Sequence, residues 1–196
     1  MRTVLLPDQS NPAFFYNVLT ASVVPRPIAW VSSLGADGTA NLAPYSFFTV
    51  ASTVPPVVQF TSVTEKDSVR NIRETGEFVI NIATAALFEQ INATSAAYGP
   101  EIDEFEAAGL AGEPSEKVSA PRVARSPLAI ECALREIIPV GNGFLVLGDV
   151  LCVAVDQTAL EADGLPGFAE LAPLARLGRL EWGFPGDVRA LDRPTV

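Results

Sequence analysis

Residues 128–155 read LAIECALREIIPVGNGFLVLGDVLCVAV. Leu128, Ile130, Cys132 and Leu134 alternate with Ala129, Glu131, Ala133 and Arg135, the period of a strand with two unlike faces. The alternation breaks at Glu136, which predicts a β-bulge near Arg135. Gly141-Asn142-Gly143 is a tight turn, so the whole stretch reads as one long hairpin. Its return arm, Phe144 to Val155, is apolar on both faces. Such a strand needs cover on both sides, from a barrel core within and from a helix or second subunit outside.

The segments on either side extend the pattern. Asn11 to Leu19 reads as a helix, with Asn11 as cap and Pro12 at its first position. Pro25 and Pro27 then hold the chain extended. Ile28 to Leu34 and Thr39 to Ala43 are strands around the turn Gly35-Ala36-Asp37-Gly38, and Phe47 to Ala51 and Val57 to Ser62 are two more. A helix capped by Asp67 or Ser68 runs to Thr75 and stops at Gly76. Glu77 to Ile82 is a strand. Ala85 to Ala93 and Asp103 to Ala108 are helical, Gly112 to Pro127 is a loop, and Leu174 to Leu180 is a last strand. The expected class is therefore mainly β with inserted helices, closed or nearly closed into a barrel, as one domain over residues 1–196.

Composition narrows the chemistry. The chain carries 13 basic and 23 acidic residues, a net charge of −10, which repels a nucleic-acid backbone. It has no histidine, so Ser-His-Asp and Cys-His catalysis within the chain are excluded and the commonest transition-metal ligand is missing. Two cysteines cannot make a four-thiolate metal site. If the protein is an enzyme, an organic cofactor carries its chemistry. With 48% apolar and 18% charged residues, part of the surface is expected to be covered by a partner subunit. No apolar run is long enough to cross a membrane as a helix. The first residues lack the basic-then-apolar pattern of a secretory signal, and a cytoplasmic protein is expected.

Three segments could hold an anionic or planar ligand. Thr61 to Ser68 (TSVTEKDS) takes a strand through a polar loop into a helix start. Free N–H groups of the first turn, the Lys66 charge and the Ser62 and Ser68 hydroxyls could together hold a phosphate. Read alone, the same residues describe an ordinary capped helix with an exposed lysine. Asn41 to Thr49 (NLAPYSFFT) sets hydroxyls beside aromatic and small groups, fit either for the wall of a planar ring or for a strand end with its aromatics in the core. Arg26, between Pro25 and Pro27, could meet a phosphate, a ligand carboxylate or a structural acid, while Trp30 reads as core. Cys132 and Cys152 are equidistant from Asn142; the expected bulge separates their faces, so two inert buried thiols are expected rather than the alternative, a redox pair.

In order, RPIAWVSS from Arg26, NLAPYSFFT from Asn41, PPVVQF from Pro55, KDSVRNIRETGEFVIN from Lys66, YGPEIDEFEAAGL from Tyr98 and PLARLG from Pro173 cover nearly the whole chain. In that arrangement the chain resembles the flavin reductase-like family with an FMN-binding split barrel, which includes flavoredoxin. The resemblance implies a homodimer with one flavin per subunit near the interface. It implies that Ser46, Phe47 and Thr49 line the flavin ring or ribityl chain, that Ser62, Lys66 and Ser68 hold the phosphate, and that Arg26 lies near the site. Relatives commonly carry Asn where this chain has Thr49, and a further glycine where it has Arg179. Some reductases place a histidine near the nicotinamide, and this chain has none.

The expected function is an FMN-dependent oxidoreductase, with FAD the alternative flavin, fed by NAD(P)H and passing electrons to a flavin, a partner monooxygenase or another small acceptor. Two alternatives stand beside it. One is a flavoredoxin-like electron carrier with no dinucleotide site of its own. The other is a non-catalytic ligand-binding module on the same barrel.

Overall fold

The hairpin at 128–155 is the spine of the main sheet in the computed structural model, which describes residues 1–195. Along the chain come α1 (Pro12–Ser22), β1 (Arg26–Pro27), β2 (Ala29–Leu34), β3 (Ala40–Tyr45), β4 (Phe48–Thr53) and β5 (Pro56–Val63). Then follow α2 (Asp67–Thr75), β6 (Glu77–Ile82), α3 (Phe88–Ala93), α4 (Glu104–Ala107), β7 (Gly112–Glu113) and β8 (Arg122–Val123). The chain ends with β9 (Leu128–Val140), β10 (Gly143–Val155), α5 (Phe168–Leu171), β11 (Ala175–Arg176) and β12 (Trp182–Gly183).

Seven strands form one antiparallel sheet in the order β3-β2-β6-β9-β10-β5-β4. Its two edges, β3 and β4, are consecutive in the chain and joined only by Ser46 and Phe47. Three Cα steps from Tyr45 to Phe48 span at most about 11 Å. The sheet must therefore roll up until its edges nearly touch, and the result is a barrel split between β3 and β4. The interior is filled by Tyr45, Phe60, Phe78, Ile80, Cys132 and Val146, with Val69 and Ile72 of α2 packed among them. Burying a phenylalanine such as Phe60 or Phe78 contributes roughly 1.5–3 kcal/mol. A second core lies outside β2 and β3, where Trp30 and Leu42 meet Leu87, Ile91 and Phe105. Trp30 is fully buried and its Nε1 donates to Thr94 Oγ1 at 2.9 Å, as a core tryptophan should.

The bulge expected near Arg135 is present: Glu136 faces Leu147, Leu134 faces Gly148, and Arg135 is the extra residue. A second irregularity at Leu151 restores the register, so Cys132 faces Val150 and Cys152 faces Glu131. Both thiols are free; Cys132 is buried as expected, but Cys152 is only half-buried. Phe144–Val155 is covered on its inner face, while Leu151 and Val153 stay 46% and 48% exposed outside.

Several elements differ from expectation. The helix over 85–93 is a 3₁₀ turn at Ala85–Leu87 followed by α3. The loop 112–127 contains the short β7–β8 pair. The strand expected over 174–180 is broken by a turn in which Glu181 N donates to Gly178 O, and β11 and β12 join β1 in a separate three-stranded sheet. Arg179 occupies the first central position of that turn with φ 55°, where a glycine fits without strain.

Candidate functional site

Two adjoining cavities beside the split form a trough. The narrower, of about 310 Å³, lies between the end of β3, the start of α2 and residues 94–98. The wider, of about 590 Å³, lies between α3 and the β11–β12 hairpin. Pro44 and Ser95 line both, so the two adjoin there.

At the narrow end, α2 begins with Lys66 at its cap position and no side chain caps it. Asp67 and Ser68 are its first residues, where backbone N–H groups have no partner within the helix. The expected caps are corrected here. Asp67 pairs with Arg70 at 2.6 Å, and Ser68 turns inward to donate to Asn41 Oδ1 at 2.6 Å. Because Arg70 and Arg73 neutralise Asp67 and Glu65, Lys66 remains a cation with no carboxylate partner among the described residues.

Tyr45 lines the same cavity. It is 5% exposed, and its hydroxyl is buried with no hydrogen-bond partner. Burial pushes its pKa up, against the opposing effect of the nearby Ser68 and Ser62 hydroxyls, so it is protonated at neutral pH. Beneath it, Glu104 accepts from the Asn41 amide at 2.6 Å and from Leu42 N at 3.1 Å. Burial raises the Glu104 pKa, and the two N–H bonds only partly oppose that.

The wide end is aromatic. Phe88 meets Trp182 edge-on at 5.1 Å between centroids and Phe184 at 5.4 Å. Arg176 lies over the Trp182 ring at 4.6 Å. Ser46, Ile28 and Asn92 complete the wall.

The residues singled out in the sequence divide three ways. Lys66 and Ser68 line the narrow cavity and Ser46 the wide one. Phe47 and Thr49 line neither; they face a separate apolar groove with Leu19 and Val23 of and after α1, which Ser46 and Arg26 also border. Ser62 is fully buried and donates to Thr64 O at 2.9 Å, so its hydroxyl supports the turn into α2 rather than a cavity. That turn holds Thr64 at φ 71°. Arg26 is buried too. It donates to the carbonyls of Thr20, Val23 (2.8 Å) and Leu177 (2.9 Å) and to Ser46 Oγ (3.4 Å). Four of its donor bonds are so engaged, and it ties the end of α1 to Leu177, just after β11, instead of offering its charge to a ligand. Tyr45, Glu104 and Arg176 lay in motifs already quoted, but nothing in their local spacing signalled that they meet at one trough.

The chain matches the flavin reductase-like domain over residues 21–174. It is similar to nitrilotriacetate monooxygenase component B from Bacillus cereus, with 31% identity, 97% of this chain and 99% of that chain covered, and a TM-score of 0.94. It is similar to the 2-nitrobenzoate 2-nitroreductase NbaA of Pseudomonas fluorescens, with 30% identity, 98% and 97% covered, and a TM-score of 0.90. It is also similar to the flavoredoxin of Desulfovibrio vulgaris (Miyazaki F), with 26% identity, 86% and 91% covered, and a TM-score of 0.80. The split barrel, its trough and these likenesses place the chain in the flavin reductase-like domain family, whose chemistry is flavin-linked oxidation and reduction.

Proposed function

We propose that the trough binds FMN and that the protein is an FMN-dependent oxidoreductase reduced by NAD(P)H. The observation that carries this reading is the pairing of unlike ends in two adjoining cavities. An uncapped helix start and an unpaired Lys66 stand at the narrow end, and an aromatic cavity stands at the wide end. A flavin mononucleotide has the same division, a dianionic phosphate on one side and a planar ring on the other. The likeness to a flavoredoxin and to a nitroreductase supports the reading.

Lys66 and the first N–H groups of α2 would hold the phosphate, since a helix start carries partial positive charge. Pro44 and Phe88 would exclude water from the ring. When bound, FMN supplies a ring that accepts a hydride and passes electrons on. No histidine is available to assist.

The working form is a homodimer. In α1 only Thr20 is buried, while Phe14, Tyr16 and Leu19 are exposed, and Leu151 and Val153 add an apolar strip on β10. A helix of eleven residues is marginal without such cover. Sedimentation showing a stable folded monomer at micromolar concentration would rule the dimer out.

Loading the purified protein with FMN and adding NADH or NADPH without oxygen tests the activity. Uptake of one flavin per chain and bleaching at a turnover-competent rate are expected. A protein that rejects FMN refutes the whole reading, and reduction by dithionite alone refutes the NAD(P)H donor.

A further inference from the structure

Among the described residues, Arg176 is the one charged residue lining the wide cavity. In a chain with 23 acidic residues, Arg70, Arg73, Arg122, Arg135 and Arg179 all pair with carboxylates, but Arg176 has none among the described residues. Its position is nevertheless fixed. The guanidinium lies over Trp182 at 4.6 Å, and one nitrogen donates to Arg179 O at 3.1 Å. That bond uses one of five donors. Trp182 is in turn braced edge-on by Phe88. A pre-positioned fork over an aromatic wall suits an anion attached to a flat group, because the fork binds carboxylate or phosphate in two-point fashion while the wall takes the ring.

We infer that Arg176 and Trp182 form an anion-binding subsite at the aromatic end of the trough, which selects a planar second substrate bearing a carboxylate or phosphate. This subsite lies at the opposite end from Lys66 and serves the compound that exchanges electrons at the site, so it rests on the oxidoreductase reading for its role. Its existence as a binding site does not depend on that reading. The anion can belong to an aromatic acceptor with a carboxylate or to the phosphates of a dinucleotide donor.

Benzoate and its neutral counterpart benzamide are suitable probes, followed by quenching of Trp182 fluorescence in the FMN-loaded and the FMN-free protein. Benzoate should bind wild type roughly tenfold or more tightly than benzamide, the scale of one charge-assisted contact. Arg176→Gln should bring the two within about twofold, and Arg176→Lys should retain part of the preference. Displacement of benzoate by NADH and NADPH assigns the anion to the donor's phosphates; failure to displace it assigns the anion to the acceptor's carboxylate. A benzoate preference in a protein that takes up no FMN would leave the subsite standing and remove the flavin reading. Equal affinity for the two probes in wild type, no saturable quenching by benzoate, or an Arg176→Gln variant that loses FMN and both probes alike would each overturn the inference.

Discussion

Asn41 and Glu104 stand 63 positions apart and meet at 2.6 Å, the Asn41 amide donating to the Glu104 carboxylate. The contact sets the direction of every bond around it. Glu104 also accepts from Leu42 N, so it faces two donors. Asn41 must then present its oxygen to Ser68, in the first turn of α2. The start of the helix at the narrow cavity is thereby tied to the barrel wall.

Glu104→Gln places an amide NH₂ against one of those donors. A loss of about 1–3 kcal/mol is expected, the cost of a buried donor left unpaired. The pH dependence has a definite sign. Burial holds the folded-state pKa of Glu104 above its ordinary value, so its favourable contribution is complete below the unfolded range and fades as pH rises through the folded value. The advantage of wild type over Glu104→Gln in urea unfolding should narrow from acidic to neutral pH. An advantage that widens would contradict the assignment.

The strands and α2 were legible because their signals are local. Alternation, the Gly141-Asn142-Gly143 turn and the Gly76 stop each lie within a few residues of what they determine. The Arg135 bulge showed as a break in alternation, whereas the Leu151 bulge did not, since Phe144–Val155 is apolar throughout and a slipped register leaves no mark on it. The site was legible only in part. Lys66 could be read from the strand-to-helix transition. That Ser62 and Ser68 turn inward, and that Arg26 binds carbonyls of Thr20 and Leu177, depends on chain segments brought together by the closed sheet, and no local pattern encodes those encounters.

Gly148 sits opposite the Phe78 ring. A Cβ there would overlap Phe78 Cζ and stand 3.0 Å from Cys132 Cβ. Gly148→Ala should destabilise by about 1–3 kcal/mol through overpacking of the barrel. Adding Phe78→Leu should recover part of that loss in a double-mutant cycle. Strict additivity of the two changes would show that the ring is not the obstacle.

Arg179 holds φ 55° in the β11–β12 turn, and its exposed contact with Glu181 is long at 3.9 Å. Left-handed backbone costs a residue with a Cβ roughly 1–2 kcal/mol, more than an exposed ion pair returns. Arg179→Gly should therefore raise the melting temperature by about 2–4 °C. A lowered melting temperature would mean that the side chain supports the hairpin in another way.

Burial pushes the Cys132 thiol up to about 12, and burial together with Glu131 raises that of Cys152. Neither is a ready thiolate at neutral pH. Ellman's reagent should react with the native protein far more slowly than with the unfolded chain, and Cys132→Ser and Cys152→Ser should keep flavin reduction. A fast native reaction, or a folded serine variant without activity, would show that a thiol takes part.

Lys66 offers the sharpest test of how the trough is used. It is exposed at the cap position of α2 and free of carboxylate partners among the described residues, so its removal should leave packing intact. In a chain of net charge −10, a dianionic phosphate depends on such a local cation. A charge-assisted hydrogen bond contributes about 1.5–3 kcal/mol, so Lys66→Ala should weaken FMN binding roughly thirtyfold. Riboflavin carries the same ring without the phosphate and should lose almost nothing. Added salt should weaken FMN binding to wild type more than to the variant, because the screened charge is already absent there. The comparison needs four affinities, for FMN and riboflavin in wild type and in Lys66→Ala, with the melting temperature as a control for folding. A selective loss for FMN locates the phosphate at the start of α2. Equal losses for both ligands would place Lys66 against the ring or in support of the fold, and the orientation proposed for the flavin would have to be reversed or abandoned.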